Sequence, residues 1–294
     1  MPQKVLITGG AGFIARSLSE DLIRDYEVHT LTRAQLNLLD ADQVSACIKN
    51  HQFDVVIHAA TYDAAPINTT KDPSKVLEMN LRMFFNLARC HHDFGKLIYF
   101  GSGAEFGRAY WKPKMAENYF DQHVPTDQYG LSKYIMTQHA LRSSNIYNLR
   151  IFGLFGKYDD WRYRVIPAAC AKAVLGLSLT VTQNKAYDFL YIEQLHQVVR
   201  WVLGTKPQQQ VYNVCTGCSN TFVDIMHKVK AISGSDAPVL VKSDAVVLEY
   251  SGDNRRLLSE FTDLRIPSID EGIADLYDWY KSRKELLNPH EFHY

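Results

Sequence analysis

The chain has 294 residues, of which 46% are apolar and 22% charged, the balance of a folded globular protein rather than a disordered one. Lysines and arginines number 32, and so do aspartates and glutamates. The zero net charge speaks against a nucleic-acid binder, and no apolar run approaches the ~18 residues of a transmembrane helix. Val5-Leu6-Ile7 lead straight into Thr8-Gly9-Gly10, so no signal peptide is expected. Cys47, Cys90, Cys170, Cys215 and Cys218 are too scattered for a disulfide scaffold. Reduced thiols in a cytoplasmic protein are the simpler expectation.

Short apolar runs alternate with amphipathic stretches through the first half. Residues 4–8 read as a buried strand. Residues 13–26 read as a helix with Ile14, Leu18, Leu22 and Ile23 on one face. A strand over 27–31, a helix over 41–51 and a strand over 54–58 follow. Then come a long helix over 73–92, a strand over 96–100, a helix over 129–143 and a strand over 147–152. This alternation predicts an α/β fold, a Rossmann-type doubly wound parallel sheet with helices on both faces. Beyond about residue 155 the pattern loosens. Helices are expected over 165–175, 221–232 and 270–286, and strands over 188–192 and 211–215. We therefore expect a dinucleotide-binding unit over 1–155 and a smaller mixed α/β substrate unit over 156–294, with later segments near 187–214 able to return to the sheet.

Thr8-Gly9-Gly10-Ala11-Gly12-Phe13-Ile14-Ala15 sits where the first strand meets the first helix. A dinucleotide site needs small residues there, so that backbone N–H groups reach the pyrophosphate. Gly9 suits the tight turn, Gly12 the phosphate approach, and Ala15 the crowded third position. The second strand ends Thr30-Leu31-Thr32-Arg33, without the carboxylate that would accept a ribose 2′-hydroxyl. Arg33 suits a 2′-phosphate instead, which favours NADP(H), with NAD(H) as the alternative. Asp40 either contacts adenine or caps the next helix.

Tyr129 and Lys133 are spaced i, i+4, which on a helix puts them on one face, about 5–6 Å apart at Cβ. A tyrosine acid/base is aided by a neighbouring ammonium that stabilises its phenolate. Here the chain resembles the extended short-chain dehydrogenase/reductase, or NAD-dependent epimerase/dehydratase, family. The resemblance rests on the glycine turn, His58-Ala59-Ala60, Asn80 and Gly101-Ser102-Gly103-Ala104-Glu105-Phe106-Gly107. It continues through Tyr129-x-x-x-Lys133, Arg150-Ile151-Phe152-Gly153-Leu154-Phe155-Gly156 and Asp188-Phe189-Leu190-Tyr191-Ile192. It implies a cofactor site built by Gly9, Gly12, Phe13, Ile14, Arg33, Asp40, Ala59, Ala60, Asn80, Tyr129 and Lys133. It further implies Ser102 as the hydroxyl that binds the substrate oxygen and Tyr129 as general acid or base. Lys133 would bind the nicotinamide ribose and lower the Tyr129 pKa. A nucleotide-sugar substrate and a homodimer pairing the helices over 73–92 and 129–143 are likewise implied.

Departures from the family pattern narrow the reaction. The family's 4,6-dehydratases carry an Asp-Glu pair directly after the catalytic Ser/Thr, where this chain has Gly103 and Ala104. Glu105 comes one place later, and on a strand it would face the other way. The pattern is most similar to GDP-fucose synthase-like and 4-keto nucleotide-sugar reductases. Yet the synthase's epimerising Cys and His fall at Ala104 and Arg164. A reductase without epimerisation is expected, with a nucleotide-sugar 4-epimerase as the alternative. The family's diphosphate-anchoring Arg before Asp188-Phe189 is Tyr187, and a second such Arg is not evident over 246–253. Arg162, Arg164, Lys157 or Arg255 would have to substitute. Arg162, Arg164, Tyr187 and Ser102 are the expected substrate contacts. Cys215-x-x-Cys218 lacks a second ligand pair and reads as a turn rather than a metal site. His91, His92, His290 and His293 read as surface or terminal residues.

Overall fold

The computed structural model describes residues 2–63 and 71–292, so His293 lies outside the described residues. The first half forms β1 (Lys4–Thr8), α1 (Phe13–Leu22), β2 (Glu27–Leu31), α2 (Ala41–His51), β3 (Val55–His58), α3 (Val76–Ala88), β4 (Lys96–Ser102), α4 (Gln128–Ala140) and β5 (Ile146–Ile151). The second half forms β6 (Gly153–Phe155), α5 (Val165–Leu175), β7 (Leu179–Val181), β8 (Ala186–Tyr187), β9 (Phe189–Tyr191), α6 (Ile192–Gly204) and β10 (Val211–Val214). It continues with β11 (Asn220–Thr221), α7 (Phe222–Ser233), β12 (Val239–Val241), β13 (Glu249–Tyr250), α8 (Arg255–Glu260) and α9 (Ile269–Lys281).

Six parallel strands form the central sheet in the order β10-β5-β4-β3-β1-β2. Period-two alternation divides their side chains between two cores. Val5, Ile7, Val55 and Ile57 join α1, α5 and α6 on one face. Leu6, Val56, Leu97 and Tyr99 join α2, α3 and α4 on the other. This is the Rossmann-like doubly wound arrangement read from the alternation. The chain order reverses between β1 and β3, and a crevice at the carboxyl ends of those strands is where such sheets take ligands. β10 enters the sheet beside β5 from within residues 156–294, after the chain has already built α5 and α6.

The helices expected over 73–92, 129–143 and 270–286 end early, at Ala88, Ala140 and Lys281, and three other boundaries differ from the sequence expectation. α1 stops at Leu22, and Ile23, expected on its buried face, is 64% exposed. Pro73 opens a single 3-10 turn rather than the long helix, because Asp72 caps it by accepting the Ser74 N–H at 2.9 Å. Residues 103–106 are a 3-10 turn rather than more strand. No helix among the described residues is long and apolar enough to cross a membrane.

Candidate active site

The glycine turn joins β1 to α1. Gly9 adopts φ +75°, and a Cβ there would lie 2.7 Å from the Cα of Ala60, so Gly9 and the Ala59-Ala60 segment are pressed together. Gly12 is the N-cap of α1 and supplies no side-chain cap, and the first turn holds no acid. The first amides of α1 thus lack a side-chain acceptor, the condition under which a helix terminus receives a phosphate. Phe13 and Ile14 turn partly into the core beneath it. These residues fit a dinucleotide pyrophosphate. Beyond β2, Arg33 is exposed and makes no ion pair among the described residues. Asp40 is the α2 N-cap, accepting the Asp42 and Gln43 amides at 3.1 and 3.0 Å, so capping is the role its geometry supports. Asn80, buried on α3, accepts the Tyr62 N–H at 2.8 Å and donates to the Tyr62 carbonyl at 3.0 Å. It thereby pins the segment that follows β3.

Ser102 ends β4, and Tyr129 and Lys133 lie on α4, which packs beside it. The Ser102 hydroxyl accepts the Ala104 N–H at 3.2 Å. Lys133 is buried and donates to the Phe100 carbonyl at 2.9 Å, with its ammonium 5.7 Å from the Tyr129 ring centre. Burial lowers its pKa to about 8, against the opposing pull of Glu105 and Asp63, so it remains a cation at neutral pH. Tyr129 is half-buried. Desolvation, with Asp63 adding to it, raises the phenol to about 12. Arg164, the Ser102 hydroxyl and Arg108 pull in the other direction. Lys133 was expected to supply that pull. Its ammonium is instead directed at the sheet carbonyl, and the charges of Arg164 and Arg108 favour the phenolate. Tyr129 is therefore a protonated donor through the neutral range.

Glu105 is fully buried and does not face the Ser102 hydroxyl. Its carboxylate accepts the Ser102 N–H at 2.9 Å, the Thr137 hydroxyl at 2.8 Å and the Arg150 Nε at 2.9 Å. The expectation that Glu105 is no acid/base stands on this engagement rather than on strand alternation, since residues 103–106 form a 3-10 turn.

Among the cations considered for substrate phosphates, three are already paired. Arg162 forms a fork on Asp160 at 2.7 and 2.6 Å, Lys157 donates to Glu20 at 2.5 Å, and Arg255 grips Asp253. Arg162 is thus held away from the role expected of it by its own loop. Among the described residues the ion-pair partners of Arg164 are Asp63 and Asp159, each at 4.0 Å, its guanidinium lies over the Tyr163 ring at 5.1 Å, and its charge lowers the Tyr129 pKa. Tyr187 packs on Phe222, Phe189 and Tyr250. A cavity of about 280 Å³ opens between α5, β7 and α7, lined by Tyr163, Val165, Lys172, Lys185, Phe222 and Met226. A separate cavity of about 340 Å³ lies between α1 and α6, where Glu20 pairs with Lys157 and Asp21 with Arg200.

Asp159, beside Arg164, is half-buried, its Oδ2 is shut off from water with no hydrogen-bond partner among the described residues, and desolvation raises its pKa to about 6. The folded chain holds this proton more tightly than the unfolded one does. Its contribution to stability is therefore full at acid pH and is lost as pH rises through about 6. Asp159→Asn is expected to gain about 1–3 kcal/mol near pH 8 and almost nothing near pH 4, read from denaturant midpoints.

Sequence reasoning missed Tyr250, which β13 brings beside Tyr187 on β8. It is buried against Phe152 and stacks on Trp111 at 4.0 Å, and a Cβ at Gly103 would lie 2.6 Å from its hydroxyl oxygen. A lone aromatic in a polar segment gives no sign of which distant strand it will join. Cys215 is buried and Cys218 exposed, and both are free. Their turn is organised by buried Asp188, which accepts the Thr216 and Gly217 amides, each at 2.8 Å. No His/Cys/Asp/Glu group suited to a metal occurs among the described residues.

Residues 5–215 match the model of the NAD dependent epimerase/dehydratase family, and the chain belongs to that family. It is an NAD(P)-dependent oxidoreductase-type enzyme. It is 22% identical to the GDP-L-colitose synthase of Yersinia pseudotuberculosis, across 96% of this chain and 99% of that one. It is 24% identical to the dTDP-4-dehydro-6-deoxyglucose reductase of Escherichia coli, across 92% and 96%. The fold superposes on a GDP-L-fucose synthetase from Naegleria fowleri bound to NADP with a TM-score of 0.82 at 16% identity, covering 96% of this chain and 94% of that one.

Proposed function

We propose that the protein is an NADPH-dependent reductase of a 4-keto nucleotide-diphosphate sugar. The observation that carries this reading is the placement of Tyr129 and Lys133 on α4, packed beside Ser102 at the end of β4, with no carboxylate at positions 103 or 104 to drive elimination. A reduced nicotinamide dinucleotide, held through its pyrophosphate at the glycine turn, would supply the hydride. Ser102 hydrogen-bonds the substrate carbonyl oxygen, and Tyr129 donates the proton to that oxygen as it becomes an alkoxide. Lys133 binds the nicotinamide ribose and keeps a positive charge under the site. Arg164 takes a substrate phosphate, since its present partners are distant. The cavity of about 280 Å³, with an aromatic wall and two lysines, takes the nucleotide end. The names of the relatives support the reductase chemistry and the nucleotide-sugar class. A cytoplasmic homodimer joined through α3 and α4 belongs to the same reading.

Supplying the enzyme with NADPH and a freshly generated 4-keto-6-deoxy nucleotide sugar is expected to oxidise NADPH in step with alcohol formation. The 4-epimerase alternative uses the same three residues. NAD retained through purification, with sugars interconverted and no net oxidation, would establish it instead. The preference for NADP(H) rests on Arg33. Arg33→Ala is expected to weaken NADPH binding about 10- to 100-fold and leave NADH unchanged, measured by nucleotide fluorescence titration.

A further inference from the structure

We propose that Glu105 is a positioning residue for the reaction, one buried carboxylate that ties the strand carrying Ser102 to the helix carrying Tyr129 and so fixes how the two hydroxyls face the substrate oxygen. The inference rests on the reductase reading for its kinetic consequence, but not for its structural one.

On the strand side, Glu105 Oε1 accepts the Ser102 backbone N–H at 2.9 Å. The Ser102 hydroxyl in turn accepts the Ala104 N–H at 3.2 Å, and the two bonds close a reciprocal cap across the 3-10 turn at residues 103–106. The cap fixes the backbone at Ser102, and with it the direction in which the side chain leaves β4. On the helix side, Glu105 Oε2 accepts the Thr137 hydroxyl at 2.8 Å. Tyr129, Lys133 and Thr137 are spaced four residues apart on α4, so they lie along one stripe of the helix. That stripe is fastened to the end of β4 and the turn beyond it. Lys133 donates to the Phe100 carbonyl at 2.9 Å, and a Cβ at Gly130 would lie 2.7 Å from the Ala104 carbonyl oxygen. Thr137 adds an attachment about two turns from Tyr129. Attachments at separate heights along a helix set its rotation as well as its distance.

The carboxylate itself is held from a third direction. Arg150 Nε donates to it at 2.9 Å and the Asn148 amide at 3.2 Å, both from β5, and Arg150 also reaches Asn213 on β10 at 3.1 Å. A Cβ at Gly101 would lie 2.3 Å from Glu105 Oε1, so β4 is bare of a side chain where the carboxylate crosses it. Completely buried, Glu105 acts through Ser102 and Tyr129 and not on the substrate.

Two paired variants separate this role from a purely structural one. Glu105→Leu with Arg150→Met and Glu105→Gln with Arg150→Met both remove the buried charges. The glutamine keeps an oxygen for the Ser102 N–H and an amide for the Thr137 oxygen, and the leucine keeps neither. Assayed well below its melting temperature, the leucine pair is expected to lose about 10- to 100-fold in kcat with KM within about twofold. The glutamine pair should turn over about fivefold or more faster than the leucine pair. Thr137→Val, which cuts only the helix-side attachment, should lose about threefold to tenfold. A second readout needs no substrate. In full-length protein labelled at tyrosine ¹³Cζ, the Tyr129 resonance, assigned with Tyr129→Phe, is expected to move in the leucine pair and in Thr137→Val, and to lie nearer its wild-type position in the glutamine pair. Equal kcat in the two pairs, or a Tyr129 resonance unmoved in the leucine pair, would overturn the proposal. Should either pair fail to fold, Thr137→Val decides by the same two readouts, and wild-type values there would overturn it. If the wild-type protein reduces no 4-keto sugar, the reductase reading fails, while the resonance still decides the role of Glu105.

Discussion

Tyr129→Phe is expected to lower kcat for carbonyl reduction by about 10²- to 10⁴-fold, with KM changed only a few-fold and the fold intact. The loss is large because the proton has no equivalent second source in the site. Lys133 is turned to the Phe100 carbonyl, the Glu105 carboxylate is consumed by Arg150 and Thr137, and the serine hydroxyl is a poor acid. The stability should change little, since the Tyr129 ring stays in place. The same protonation state makes a pH prediction with a definite sign. A phenol at about 12 keeps its proton through neutral pH, so the reduction rate should be level from about pH 6 to 7 and fall above about pH 8, where Lys133 loses its charge. The reverse oxidation needs the phenolate, and its rate should climb with pH from about 6 to 7. Wild-type turnover in Tyr129→Phe would sink the assignment of the proton donor.

The largest loss of stability is expected at Glu105. Both it and Arg150 are completely excluded from water, and their 2.9 Å ion pair is the meeting point of four elements. Glu105 also receives Ser102 from the end of β4, Thr137 from α4 and Asn148 from β5, while Arg150 reaches Asn213 on β10 at 3.1 Å. Phe106 lies 4.5 Å from the guanidinium and leaves it no route to solvent. Glu105→Ala would strand that cation, and about 3–5 kcal/mol of stability should be lost in urea or thermal unfolding. Replacing both partners with apolar residues, Glu105→Leu with Arg150→Met, should recover much of the loss, because the cost lies in an unpaired buried charge. A loss below about 1 kcal/mol in the single variant would mean that water reaches the pair.

The sheet was legible in the sequence because buried parallel strands leave continuous apolar runs such as Val55-Val56-Ile57, separated by amphipathic helices. The glycine turn and the Tyr129/Lys133 spacing were legible because each lies within one turn or one helix. What lay hidden depends on chain segments far apart. Glu105 and Arg150 are separated by 45 residues, and Tyr250 reaches Gly103 across a span several times longer. The candidate phosphate ligands show the same limit. Lys157 and Arg162 look like free cations in sequence, and only folding brings Glu20 to the first and turns Asp160 onto the second. Helix ends were misjudged where apolar periodicity outran the helix, as at Ile23.

The return of β10 to the central sheet has a consequence for how the polypeptide reaches its native state. The sixth strand is made only after the chain has built α5 and α6, so a nascent chain released at residue 155 carries β5 as an open edge, ready to pair with another molecule. The two halves are therefore not separable modules joined by a tether. Productive folding waits for a strand synthesised about two-thirds of the way along, and long-range closure of this kind makes assembly slow and cooperative. Mutations in the later half should thus register first as poor yield of soluble protein, before any defect in chemistry can be measured.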